Sequence, residues 1–375
     1  MANIVDYIHW RGDLTFRQSP FCEADNLILS YLAYVNIDGI DAVTGKNSAT
    51  VEELSRRFFE MHTEEELKED KSFIRLAPYM MKAMAESDRF RGAVVRNYVN
   101  ETVTEAEQQF SALEVMLEDK TSYIAFRGTD DTIVGWKEDF NLSNGIVPAQ
   151  EAAVRYINTI AGVGRRKIRT GGHSKGGNLA VYAAAKCSPR IKRRIIEIYD
   201  NDGPGFTADF LADRDLLAVV PKIKRFIPEY SVIGMLLGHV VEPVIVSSSQ
   251  KGIFQHDGLS WEVMGPRFVY KEKLSKKAES FNDTLHKWID EMDNSQRDIL
   301  IHDLFSVLEA TGVRTLTEVQ SGGLKSVRAM LRQIESLNPS SRGMVEELLK
   351  SLFSLWLEEL KQPVNKIFKK EETKK

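Results

Sequence analysis

At 375 residues, 43% of them hydrophobic, the chain can bury one large core or two ordinary ones. Its 50 Lys and Arg stand against 54 Asp and Glu, a net charge of −4, which excludes the strong positive field of a nucleic-acid binder. Two cysteines, Cys22 and Cys187, with neither a CxxC nor a metal-ligand spacing, exclude a disulfide framework and a zinc site and fit a reducing cytoplasm.

The opening "MANIVDYIHWRG" lacks a basic stretch followed by an apolar one. Nowhere do about 18 apolar residues run together, so neither export nor a membrane span is expected. The tail Lys366 to Lys375 mixes its lysines with glutamates and reads as a solvated terminus.

Residues 1 to about 110 read as mostly helical. "EADNLILSYLAYV", Glu23 to Val35, has apolar residues three and four apart behind an acidic first turn. A second helix starts near Ser48, capped by Ser48 or Thr50, and a third opens on Thr63 and runs to Glu86. The valine-rich stretch Phe90 to Val103 begins the sheet. Ala112–Leu117 and Ser122–Phe126 flank a turn and predict a hairpin.

The pattern then alternates: helix Gln150–Ala161, strand Lys167–Gly171, helix Gly176–Ala185, strand Arg194–Tyr199, strand Ile223–Pro228. Short apolar strands separated by helices imply a mostly parallel sheet covered on both faces, an α/β fold. Residues 243–272 return to strand and turn composition and predict a terminal hairpin or edge. Beyond Lys271 the chain reads as helical. "MVEELLKSLFSLWLEELKQP", Met344 to Pro363, carries a broad apolar face with Phe353, Trp356 and Leu360, suited to packing on the domain, on a partner or on a second copy. Its acidic polar face argues against a membrane surface. Two segments are therefore expected, 1–270 and a helical extension 271–375.

Gly172-His173-Ser174-Lys175-Gly176 matches G-x-S-x-G, the turn from strand to helix that lifts a nucleophilic serine to the top of a sheet. The strand before it and the helix after it supply the required setting; a glycine-rich turn is the plain alternative. A serine needs a base within hydrogen-bond reach. In this fold the order is serine, acid, histidine. His9 and His62 come too early, His173 points away from its neighbour, and His286 and His302 lie in the later helices. His239, between apolar runs, reads as structural. His256, in a glycine-rich loop after a strand, is the expected general base.

"YIAFRGTDDTIVGWKEDF", "GGHSKGGNLA", "IYDNDGPGF" and "FQHDGLSWEV", in this order, resemble a bacterial lipase-like branch of the α/β-hydrolases related to the class 3, fungal-type lipases. The opening "DYIHWRGDLTFRQSPFCEADNLILSYLAY" resembles that branch too, so the likeness covers about residues 1–270. It implies an α/β-hydrolase fold and an ester substrate, an acylglycerol or a lysophospholipid, with no metal or organic cofactor. It also implies an oxyanion donor at Thr129, beside the backbone N–H of Lys175, and a structural element at Trp136 and Asp139.

The acid departs from the pattern. Where a class 3 lipase places its aspartate, this chain has Glu229, Tyr230 and Ser231. Other α/β-hydrolases carry the acid one strand earlier, where Asp200 and Asp202 stand. The order of preference is Asp202, Glu229, Asp200, with the alternative that Asp202 only caps its loop. The Lys175 ammonium either attracts anionic substrate groups or faces solvent. The expectation is a serine esterase or lipase working through an acyl-enzyme; a catalytically silent scaffold that binds lipid or protein partners is the alternative, and acyl transfer to an alcohol or thiol would use the same residues.

Overall fold

The computed structural model describes residues 2–45, 47–69, 73–103, 108–129, 133, 137, 147–162, 164–280, 282–283, 292 and 294–352. Among the described residues, five α-helices lie ahead of the long strands: α1 (Ile4–Arg11), α2 (Glu23–Leu32), α3 (Val51–Met61), α4 (Glu64–Glu69) and α5 (Ala77–Glu86). Thr50 caps α3, its hydroxyl accepting from the Glu53 N–H at 3.1 Å. The single helix expected over Thr63–Glu86 is instead two, with a 3-10 turn, Phe73–Leu76, leading into α5. Pro78 is the cause: without an N–H it fits the first turn of a helix and not its interior.

Nine strands form the main sheet in the order β1 (Ser48–Thr50), β2 (Val94–Val103), β3 (Gln108–Met116), β4 (Thr121–Phe126), β5 (Lys167–His173), β6 (Ile195–Asn201), β7 (Ile223–Pro228), β8 (Val244–Val246) and β11 (Tyr270–Lys271). Strands β4 to β8 run parallel; β1, β2 and β3 on one side and β11 on the other are antiparallel. Residues 243–272, expected as a terminal hairpin or edge, supply the edge pair β8 and β11. β9 (Val263–Met264) and β10 (Arg267–Phe268) make a small sheet of their own, and β11 returns to the edge.

Alternation along the buried strands serves two cores. Leu113, Val115, Tyr123, Ala125 and Tyr199 face the N-terminal helices. Ala112, Ile124, Phe126 and Ile198 face the other side, against α6 (Pro148–Ala161) and α7 (Lys175–Lys186). α7 is buried at every residue from Lys175 to Ala185, and its Gly and Ala positions let the backbone lie close on the strands. The result is three layers, helices on both faces of a mixed sheet with a parallel centre, as an α/β-hydrolase is built.

Helices α8 (Asn294–Glu309), α9 (Gly323–Ser336) and α10 (Pro339–Leu352) form a third apolar cluster. It closes over Tyr230, Val232, Ile233 and Leu236 of the β7–β8 loop, over Ile253, and over Ile133. The C-terminal helices thus sit on loops at the carboxyl end of the parallel strands. Phe353, Trp356 and Leu360 lie outside the described residues. Among the described residues no helix is long and apolar enough to cross a membrane.

Arg89 and Asp25 form a buried bidentate pair at 2.5 and 2.7 Å, both side chains 0% exposed. Arg89 also donates to the carbonyls of Leu14, Ser19 and Pro20. Removing one partner strands the other charge in the core. Arg89→Met should lower unfolding free energy by about 3–5 kcal/mol in urea titration, and a loss under about 1 kcal/mol would contradict this role.

Candidate active site

β5 ends at His173 and α7 begins at Lys175, so the chain reverses direction on Ser174 alone. Its backbone sits at φ 57° and ψ −136°, a strained conformation for a residue with a side chain. The surroundings enforce it. Ser174 donates its N–H to Asn201 O at 2.9 Å, and Gly177 donates to Ser174 O at 2.8 Å. A Cβ on Gly172 would overlap the Gly176 backbone and Phe126 O, and one on Gly176 would overlap Phe126 O. The two outer glycines of G-x-S-x-G are thus needed for close approach of strand, turn and helix.

Beyond β6, the turn holding Asp202 also adopts positive φ, 56°, a region aspartate tolerates better than most residues. Its Oδ2 lies 2.6 Å from His256 Nδ1, and its Oδ1 accepts from Ser231 Oγ at 2.5 Å. A carboxylate only accepts, so Nδ1 of His256 carries a proton, and in the neutral ring Nε2 is then the acceptor. His256 ends the 3-10 turn Gly252–His256, after β8. Its ring lies 4.7 Å from that of His173, the residue before Ser174.

A methyl group on Gly128 would fall 3.0 Å from Ser174 Cβ, so the loop leaving β4 runs beside the serine. Thr129, next in that loop, is buried. Lys175 is 4% exposed, which rules out the solvent-facing orientation. Trp136, Asp139 and His286 lie outside the described residues.

The other two acids point elsewhere. Glu229 faces Lys271 at 3.3 Å on the sheet edge. Asp200 accepts from the Gly203 N–H at 2.9 Å and stands 3.8 Å from Arg225 Nε, and burial pushes its carboxyl up to about 7. His239 is half-buried beside Gly205, and His302 is 71% exposed next to Asp303. Among the described residues no group of three His, Cys, Asp or Glu could hold a metal ion.

Sequence reasoning did not reach the support around this centre. Asn201 donates to Gly172 O at 2.9 Å and exchanges hydrogen bonds with Asn26 of α2, while Tyr123 OH joins Asn26 and Ser30, each at 2.8 Å. The usable signal was Asn26 and Ser30, four apart and separated by the apolar run Leu27–Leu29. Polar groups on a buried face need partners there.

A parallel-centred sheet with a strained serine after one strand and an Asp–His pair from two further loops at the same end defines an α/β-hydrolase architecture. Residues 84–306, more than half of the chain, match the model of the Mbeg1-like family, and the chain belongs to that family. The lipase-like resemblance read from the sequence agrees with this membership. No curated protein matches the chain. Among solved structures, the Rhizomucor miehei lipase in complex with its propeptide is similar at 14% identity and a TM-score of 0.31, over 45% of this chain and 59% of that one. M37 lipase is similar at 14% identity and a TM-score of 0.33, over 58% of this chain and 70% of that one. The chain thus spans about three fifths of the fungal enzyme's length.

Asp200 gives a pH signature. Its folded value, about 7, lies above the ordinary 3.8, so the stability it contributes is complete below about pH 4 and is lost as pH rises through 7. The loss is on the order of 4 kcal/mol, at about 1.4 kcal/mol per pKa unit. Urea midpoints of Asp200→Asn should lack this decline between pH 4 and 8; an unchanged profile would show that Asp200 is not held neutral.

Proposed function

We propose that the protein is a serine hydrolase of carboxylic esters acting through an acyl-enzyme. Ser174 Oγ attacks the ester carbonyl, His256 Nε2 takes its proton and returns it to the leaving alcohol, and Asp202 holds the imidazole in the productive tautomer. The N–H groups of Thr129 and Lys175 stabilise the oxyanion, each donor worth about 3–4 kcal/mol in a dry site. Water then attacks the acyl-enzyme, with His256 again as base. The observation that carries this reading is the 2.6 Å hydrogen bond from His256 Nδ1 to Asp202, made beside a serine held at φ 57°.

The substrate is proposed as a small or lipid ester, and the C-terminal helices as an extension that shapes access to it or meets a partner or second copy. Two cysteines that form no disulfide fit action in the cytoplasm. One observation favours the second reading, a silent scaffold: Ser174 is only 1% exposed.

A fluorophosphonate probe separates the two. The hydrolase reading expects covalent labelling of folded protein that vanishes in Ser174→Ala and falls steeply in His256→Ala. Folded wild-type protein that stays unlabelled, at pH 8 and after prolonged exposure, would support the scaffold. With an ester substrate, Asp202→Asn should lower kcat by about 10⁴-fold, because asparagine favours the wrong imidazole tautomer.

A further inference from the structure

We propose that Tyr31 and Tyr34 of the α2 region, acting with His173, are positioning residues that lock the loop carrying the base. This rests on the reading of His256 as base and adds residues that the triad does not include.

The loop is held residue by residue. Gln255 O accepts from Trp261 Nε1 at 2.9 Å, and Gln255 Oε1 accepts from the Tyr230 N–H at 2.9 Å. His256 O lies 2.7 Å from His173 Nε2. The Gly258 N–H donates to Tyr31 OH at 2.6 Å, and Tyr31 OH donates to Asp257 Oδ1 at 3.2 Å. His256 is therefore pinned at its side chain by Asp202 and at its carbonyl by His173, while Tyr31 holds Asp257 and Gly258, the two residues that follow it.

The His173 hydrogen bond fixes a tautomer. A carbonyl oxygen only accepts, so Nε2 carries the proton, and a neutral ring then has an accepting Nδ1. Tyr34 OH stands 3.1 Å from that Nδ1 and 3.2 Å from His173 O, and its one proton serves these two acceptors. Burial, then the neighbouring His256, hold the His173 pKa well below its ordinary value, so the ring stays neutral and the clamp keeps its donor. Tyr31, Tyr34, His256 and Trp261 surround it, ring centres 4.7 to 6.2 Å away. The histidine before the serine thus links both halves of the candidate site: its own chain forms the elbow, and its imidazole holds the loop of the base.

Tyr31→Phe and Tyr34→Phe keep the ring and delete only the hydroxyl. Two readouts are needed: the rate of fluorophosphonate labelling of Ser174 across pH 5–9, and the exchange rate of the His256 Nδ1 proton by NMR. The proposal expects each variant, folded by near-UV circular dichroism, to label at least tenfold more slowly, with a displaced pH midpoint and at least tenfold faster proton exchange. His173→Gln, which keeps a donor, should retain more labelling than His173→Leu. Labelling, midpoint and exchange all within twofold of wild type in both tyrosine variants would overturn it. If wild-type Ser174 does not label, the hydrolase reading fails and the exchange rates alone decide the clamp: acceleration supports it, and unchanged rates overturn it.

Discussion

A buried carboxylate with a hydrogen bond to each oxygen determines where the proton sits on His256, and the chemistry available to Ser174 follows from that. Asp202 meets both Ser231 and the imidazole. In this dry setting a carboxylate left without donors would be costly, so the two bonds stabilise the charge as well as orient the ring. The turn that presents Asp202 takes a positive φ, and the one that presents Ser174 is strained. Strain of this kind persists only where the surroundings over-determine it.

The parallel strands provide those surroundings. β4, β5, β6, β7 and β8 end side by side, and the loops leaving them carry Thr129, Ser174, Asp202, Ser231 and His256. Strands packed by helices on both faces move little, so residues 54 apart in sequence can hold a 2.6 Å contact. α2 belongs to this framework, because its Asn26 and Ser30 bond into the sheet beneath the elbow. The N-terminal helices therefore pack into one core with the sheet, whereas the C-terminal helices cover the loops at its open end.

Much of this was legible in the sequence, for physical reasons that can be named. Ser174 stood out because the glycines flanking it answer a steric demand visible in a five-residue string. His256 followed from chain order and a glycine-rich setting. The strands were legible from their apolar runs, Ile223–Pro228 to the residue. The helix over Thr63–Glu86 was overread because periodicity outweighed Pro78. Among Asp202, Glu229 and Asp200 the sequence offers only position, since all three follow or end strands; which one meets an imidazole depends on turn geometry that no local pattern encodes. The contacts of Tyr34 with His173 and of Tyr31 with Gly258 join residues 139 and 227 apart and were invisible for the same reason.

The central claim is the proposed division of labour on one ring: Nδ1 of His256 donates to Asp202, which leaves Nε2 to serve Ser174. The nitrogen-15 NMR spectrum of the histidines tests it directly, recorded on the free protein and again after phosphonylation of Ser174. The account predicts a neutral His256 protonated at Nδ1 that becomes protonated at both nitrogens in the adduct. A free-state proton on Nε2, or a ring indifferent to modification of the serine, would contradict it.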